Sequence, residues 1–219
     1  MVLREKKFAI LYFIASVLSL VFIDNDSIIE LVLKLLSLTF LSFMYLNRSR
    51  VINIWYLLVL LFSIASDAFL IFDTDLLFIG SMLLIINRFL YIIIARRAIF
   101  QTKLHLLIFY LVLCLLLFVV IYIILRPYLK EILGIFMTMG FSSCVMLLFA
   151  YLNYLNRMNR RNKYFLFGLF LIITADVLMI FNKFLDYNIL YVIAYTSIYY
   201  VARYLICESM IVGKPRRRR

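Results

Sequence analysis

The chain has 219 residues, of which 67% are hydrophobic and 16% charged, with five Gly and two Pro. Soluble domains are roughly 45–50% apolar, and a domain of this size must still cover its exterior, so no soluble core could bury the remainder. A mean hydropathy of +1.09 excludes disorder and collagen-like repeats, three Cys give no disulfide scaffold, and the chain reads as an integral membrane protein. The net charge of +12 does not point to nucleic acid, because the Lys and Arg residues sit in short clusters between apolar runs instead of along one face.

A spanning helix needs about 20 mostly apolar residues. Such runs occur at about 8–23, 28–46, 51–72, 76–95, 104–125, 129–152, 164–181 and 188–211. The fold class expected is therefore an all-α, polytopic bundle of eight transmembrane helices forming one domain over 1–219, with a basic tail at 214–219. The first run follows Arg4, Lys6 and Lys7 like a signal-peptide n-region. No small-x-small cleavage site precedes the Asp24-Asn25-Asp26 turn, so it is expected to remain as a helix. Pro127 falls at a span boundary and reads as a turn.

The connections are short, and their charges alternate. Arg4, Lys6, Lys7, Arg48, Arg50, Arg96, Arg97, Lys103, Arg157, Arg160, Arg161, Lys163, Lys214 and Arg216 to Arg219 fall on one side. Arg126, Lys130 and Lys183 fall on the other, with Asp24, Asp26, Asp73, Asp75 and Asp186. The positive-inside rule places both termini in the cytoplasm of a multi-pass cell-membrane protein. The terminal Arg216–Arg219 run is read as a topology anchor, the alternative being contact with anionic head groups of membrane lipids.

Five charged residues lie within spans: Lys34, Asp67, Arg88, Asp176 and Arg203. A charge at a helix centre costs roughly 2.5–3.5 kcal/mol on insertion scales, so each needs a partner or a wet cavity. Counting rise per residue, Lys34, Asp67 and Asp176 share a layer about 7–9 Å below the outer boundary, with Arg88 and Arg203 deeper. Glu30 and Glu208, near span ends, are expected to reach the interface. Asp67-Ala68-Phe69-Leu70-Ile71-Phe72 parallels Asp176-Val177-Leu178-Met179-Ile180-Phe181, and Arg88-Phe89-Leu90 parallels Arg203-Tyr204-Leu205. These matches point to a 4+4 internal repeat in which both halves have the same orientation.

Two inward carboxylates at equal depth have two readings. One is an acid/base pair, in which burial and mutual repulsion keep one group protonated while the other stays ionised. The other is a pair of structural salt bridges, Asp67 with Arg88 and Asp176 with Arg203. Cys114, Cys144 and Cys207 lie far apart in apolar runs, His105 sits at a helix end beside a basic loop, and no metal spacing occurs. No nucleophile-elbow or phosphate-loop motif is present either, and no cofactor is expected.

In this setting the spans resemble the YhhN-like integral membrane family, the lysoplasmalogenases. The likeness rests on Phe62-Ser63-x-x-x-Asp67, Phe78-Ile79-Gly80 with Tyr91, Gly168 with Asp176, Asn182-Lys183-Phe184 and Tyr199-Tyr200-Val201-Ala202, and on Lys34. It covers most of the chain in order. The resemblance implies an enzyme that hydrolyses the vinyl ether bond of lysoplasmalogens to a fatty aldehyde and glycerophosphoethanolamine or glycerophosphocholine. It implies Asp67 and Asp176 as catalytic residues. Lys34, Arg88, Arg203, Ser63, Tyr91 and Tyr200 are the candidate substrate-binding residues, with the cations toward the phosphate. The chain departs from the family pattern at Ser66 (usually Gly), Ala175 (Ser), Arg88 (His), Arg203 (Gln) and Leu35 (Pro). Two permanent cations replace neutral groups, which changes the polarity of the site. The alternative function is a non-enzymatic lipid-binding or scaffold protein whose aspartates are neutralised by Arg88 and Arg203. A small transporter is a third reading, disfavoured because the midspan helices lack Gly/Pro interruptions.

Overall fold

A backbone N–H or C=O left unpaired in hydrocarbon costs several kcal/mol, so apolar runs of this length have one open-ended solution, the α-helix. The computed structural model describes residues 2–23, 27–49, 51–72, 77–96, 104–128, 133–184 and 187–212. The acidic turns expected at 24–26 and 73–75 and the basic tail at 214–219 lie outside them.

Among the described residues there are eight α-helices: α1 Val2–Val21, α2 Ser27–Arg48, α3 Ile54–Phe72, α4 Leu77–Ala95, α5 Leu104–Leu125, α6 Leu133–Asn156, α7 Arg160–Phe184 and α8 Ile189–Ile211. No strand occurs among the described residues. Six helices are long and apolar enough to cross a membrane, and α1 and α3 supply the shorter apolar stretches Lys7–Val21 and Ile54–Phe69. The Arg126–Tyr128 segment is a single 3-10 turn, as its proline suggests.

Side-chain caps set where α3, α7 and α8 begin. α7 begins at Arg160 instead of 164, because the Asn159 side chain accepts a hydrogen bond from the Asn162 amide at 2.8 Å. Asn53 and Asn188 cap α3 and α8 in the same way, accepting from Trp55 at 3.1 Å and Leu190 at 2.9 Å, and so set their first residues at 54 and 189, inside the expected runs. An asparagine at this position satisfies an otherwise orphaned N–H, and hydropathy alone does not register it.

Seven helices close into a ring. α1 packs on α2, α2 on α3, α3 on α4, α4 on α6, α6 on α7 and α7 on α8, which returns to α1 and α2. The main core cluster draws on these seven and contains Tyr12, Leu38, Tyr45, Tyr56, Leu90, Tyr91, Met146, Phe165, Leu169 and Ile206. α5 stands outside the ring against α6, through Leu107, Tyr110 and Leu111 on Leu148 and Leu152, and through Phe118 on Phe136. Its sequence is apolar all round, which suits a helix facing lipid on most sides.

The packing order repeats between halves. α3 packs on α4 as α7 does on α8, α2 on α3 as α6 on α7, and α4 on α6 as α8 on α2. This matches the 4+4 repeat read from the two Asp and two Arg segments. The ring is also stitched by polar bonds. Tyr12 donates its hydroxyl to the Tyr200 carbonyl at 2.7 Å, Ser19 and Tyr200 hydroxyls lie 2.5 Å apart, and the Tyr45 hydroxyl accepts from the Asn53 amide at 2.6 Å.

Candidate functional site

α3 and α7 run opposite to α4 and α8. Because side chains lean toward the N-terminus of their own helix, Asp67 and Asp176, near the C-terminal ends of α3 and α7, lean toward the middle of the bundle. Arg88 and Arg203, placed deeper, lean back toward them. The long arginine stems close the remaining gap, and the opposite charges meet in the middle of the ring.

The pairing is crossed between halves, which corrects the expected Asp67–Arg88 and Asp176–Arg203 bridges. Asp67 takes both guanidinium nitrogens of Arg203, each at 2.7 Å, in a two-pronged fork. Asp176 pairs through Oδ2 with Arg88, whose Nε donates to the Ser143 hydroxyl at 2.7 Å. The second oxygen of Asp176 accepts from the Tyr199 hydroxyl. Under the repeat, α3 corresponds to α7 and α4 to α8, so each bridge is the image of the other. A bridge within one half would tie together two helices already joined by a short loop. The crossed bridges tie half to half, and among the described residues no buried charge is left unpaired.

Between the pairs lies a cavity of about 30 Å³, lined by Ser63, Asn87, Arg88, Tyr91, Asp176, Tyr199 and Arg203 with Leu84, Met146 and Ile172. One water occupies on the order of 10–15 Å³ by this measure, so the space admits one or two. A lipid headgroup needs the ring to open. The Asn87 amide and Ser63 hydroxyl are 3.1 Å apart on one wall. The Arg203 guanidinium lies over the Tyr199 ring at 5.5 Å, so Tyr199 touches both ion pairs.

Asp67, Asp176, Arg88 and Arg203 are thus brought together, and Ser63 and Tyr91 line the same cavity. Asp67 is not among the lining residues; it reaches the cavity through Arg203. Lys34 and Tyr200 are elsewhere. Lys34 pairs at 2.5 Å with Glu30 one turn back on its own helix, and Glu208 likewise pairs with Arg48 at 2.5 Å, so neither glutamate is simply released to the interface. Tyr200 follows Tyr199 by one residue, about 100° round the helix, and faces α1.

Residues missed in sequence are Tyr199, Asn87 and Ser143. Tyr199 lies four before Arg203, Asn87 adjoins Arg88 and lies four before Tyr91, and that spacing was the available signal. Ser143 carried none, since its helix has no buried charge to draw attention to it. Ser66, where the resemblance expects Gly, is fully buried and donates to the Gly80 carbonyl at 3.4 Å, joining α3 to α4.

Among the described residues no three His, Cys, Asp or Glu side chains converge as a metal site would require. Chemically, the arrangement offers carboxyls, guanidinium donors and a phenol around a water-sized space inside the bundle. No curated protein and no solved structure matches the chain. The YhhN family does match, over residues 29–210, a stretch that includes both aspartates and both arginines, and the chain belongs to that family.

Proposed function

We propose that the protein is a membrane hydrolase of the lysoplasmalogenase type, with both termini in the cytoplasm, cleaving the vinyl ether of a single-chain ether lysophospholipid. The observation that carries this reading is Asp176, a buried carboxyl lining a cavity that two guanidinium groups also line. The balanced reaction is RCH=CH–O–R′ + H₂O → RCH₂CHO + HO–R′. A neutral carboxylic acid delivers its proton to the β-carbon, and the double-bond electrons leave an oxocarbenium ion stabilised by nearby carboxylate. Water adds to the oxygen-bearing carbon of that ion as a carboxylate takes its proton, and the hemiacetal releases glycerophospho-alcohol. Paired carboxyls divide oxocarbenium chemistry in glycosidases in a comparable way.

The arginines supply the link to the lipid. A guanidinium forks onto phosphate oxygens as readily as onto carboxylate. A phosphate arriving laterally from the bilayer draws Arg88 from Asp176, and the carboxylate left without its cation in an apolar cavity takes up a proton from water and rests as the neutral acid. Substrate binding thereby creates the proton donor. The bidentate Asp67–Arg203 fork favours a second reading, a non-enzymatic lipid-binding or scaffold protein in which both pairs serve only packing. Purified protein in nanodiscs, incubated with an alkenyl lysophosphatidylethanolamine, decides between them. The hydrolase reading expects aldehyde to accumulate in proportion to protein; none above the protein-free control overturns it.

A further inference from the structure

The two halves supply their aspartates with different neighbours. Each half's own arginine position has a residue four earlier that lines the cavity: Leu84 before Arg88, and Tyr199 before Arg203. Under the repeat these occupy equivalent places, beside Asp67 and Asp176 respectively. Only Tyr199 has a hydroxyl, and it donates to Asp176. Asp67, without that donor, spends both oxygens on Arg203. Two charge-assisted bonds fix a carboxylate in place more firmly than one such bond plus a bond from a neutral phenol. Asp176 faces the cavity and Asp67 does not.

We propose that the aspartates are unequal: Asp176, positioned by Tyr199, is the single carboxyl through which the cavity exchanges protons, and Asp67 is a positioning residue that fixes Arg203. The chemical meaning of this division rests on the hydrolase reading, but the inequality itself does not. In that reaction Asp176 gives its proton to the β-carbon, becomes a carboxylate, and then takes a proton from the attacking water, so one group serves both steps in turn. Arg203, held by Asp67, stays aimed at the cavity throughout, with its charge against the Tyr199 ring.

An apolar carbodiimide, dicyclohexylcarbodiimide, tests this without substrate. It reaches buried carboxyls from the bilayer and reacts with the protonated form. The carboxyl proton passes to a carbodiimide nitrogen, the carboxyl oxygen bonds to the central carbon, and acyl migration to nitrogen leaves a stable N-acylurea with no group lost. Peptide mass spectrometry on the full chain is expected to find Asp176 labelled about tenfold faster than Asp67, the contrast between a neutral and a charged second donor. Tyr199→Phe, which keeps the ring over Arg203, is expected to raise Asp176 labelling severalfold and leave Asp67 unchanged; Tyr200→Phe should alter neither. Equal labelling, labelling confined to Asp67, labelling of neither, or a Tyr199→Phe variant labelled like wild type overturns the proposal. Aldehyde release by the wild type is read separately: its absence with Asp176-selective labelling removes the hydrolase and keeps the inequality.

Discussion

The halves α1–α4 and α5–α8 carry the same two buried charges, an aspartate on the third helix and an arginine on the fourth, and surround them differently. Asp67 is locked by a two-pronged guanidinium. Asp176 shares its oxygens between Arg88 and Tyr199, while Arg88 divides its own donors between Asp176 and Ser143. The first helices differ as well. α1 joins the ring through Tyr12 and Ser19, whereas α5 stays outside it. Lipid tails are as apolar as Leu, so a helix whose contacts are mostly large and apolar gains little from entering a bundle; the polar tie of α5 to α6 is the Cys144 thiol, which donates to the Cys114 carbonyl at 3.5 Å. We read the Asp67–Arg203 bridge as the anchor and the Asp176–Arg88 bridge, which faces the cavity, as the working face.

The sharpest test of that contrast is the paired amide substitution. Asp67→Asn leaves Arg203 without its carboxylate and is expected to cost about 3–5 kcal/mol, the range for breaking a buried pair. Asp176→Asn should cost about 1–2 kcal/mol less, because Arg88 keeps its bond to Ser143 and the amide carbonyl can still accept. Denaturant unfolding in mixed micelles measures both. Equal costs would remove the distinction between anchor and working face.

The crossed geometry is tested by double-mutant cycles. Asp67→Asn with Arg203→Gln should couple by about 2 kcal/mol, while Asp67→Asn with Arg88→Gln should couple by less than about 0.5 kcal/mol. The reverse ranking would restore the within-half pairing and break the comparison.

Smaller effects probe the seams. A Cβ at Gly168 would meet Ile206 at 2.5 Å and the Ala202 carbonyl oxygen at 3.0 Å, and backbone cannot move aside. Gly168→Ala is therefore expected to cost about 1–2 kcal/mol at the α7–α8 contact. At Gly140 the nearest obstacle is the Phe118 ring on peripheral α5, a side chain and not backbone, and Gly140→Ala should cost less than half as much by the same unfolding measurement. Tyr200→Phe removes the Ser19 bond, expected at about 1 kcal/mol, without changing turnover.

Much of this was legible beforehand. Hydropathy located all eight helices because the membrane imposes one length and one backbone solution. The Asp and Arg pairs stood out because charge in a span is costly, and the repeated segments around them anticipated the matched packing order. Partner choice was not legible. Asp67 and Arg88 are on adjacent helices, and only the packing of α8 back onto α1 and α2, together with the lean of the arginine stems, shows that Asp67 meets Arg203 instead. Lys34 stands apart from the central charges because Glu30, a single turn away on the same helix, pairs with it. Tyr199 and Tyr200 could not be separated by motif, only by helical phase relative to Arg203.

The central claim is that the cavity beside Asp176 performs acid/base chemistry on a vinyl ether. The most direct measurement is aldehyde release from an alkenyl lysophospholipid by wild type and Asp176→Asn, each with its thermal unfolding recorded in the same nanodiscs. The account predicts that the variant stays folded and releases aldehyde at least about a hundredfold more slowly, as loss of a general acid–base group does. A folded Asp176→Asn variant with wild-type turnover would contradict it, as would a folded wild type that releases no aldehyde.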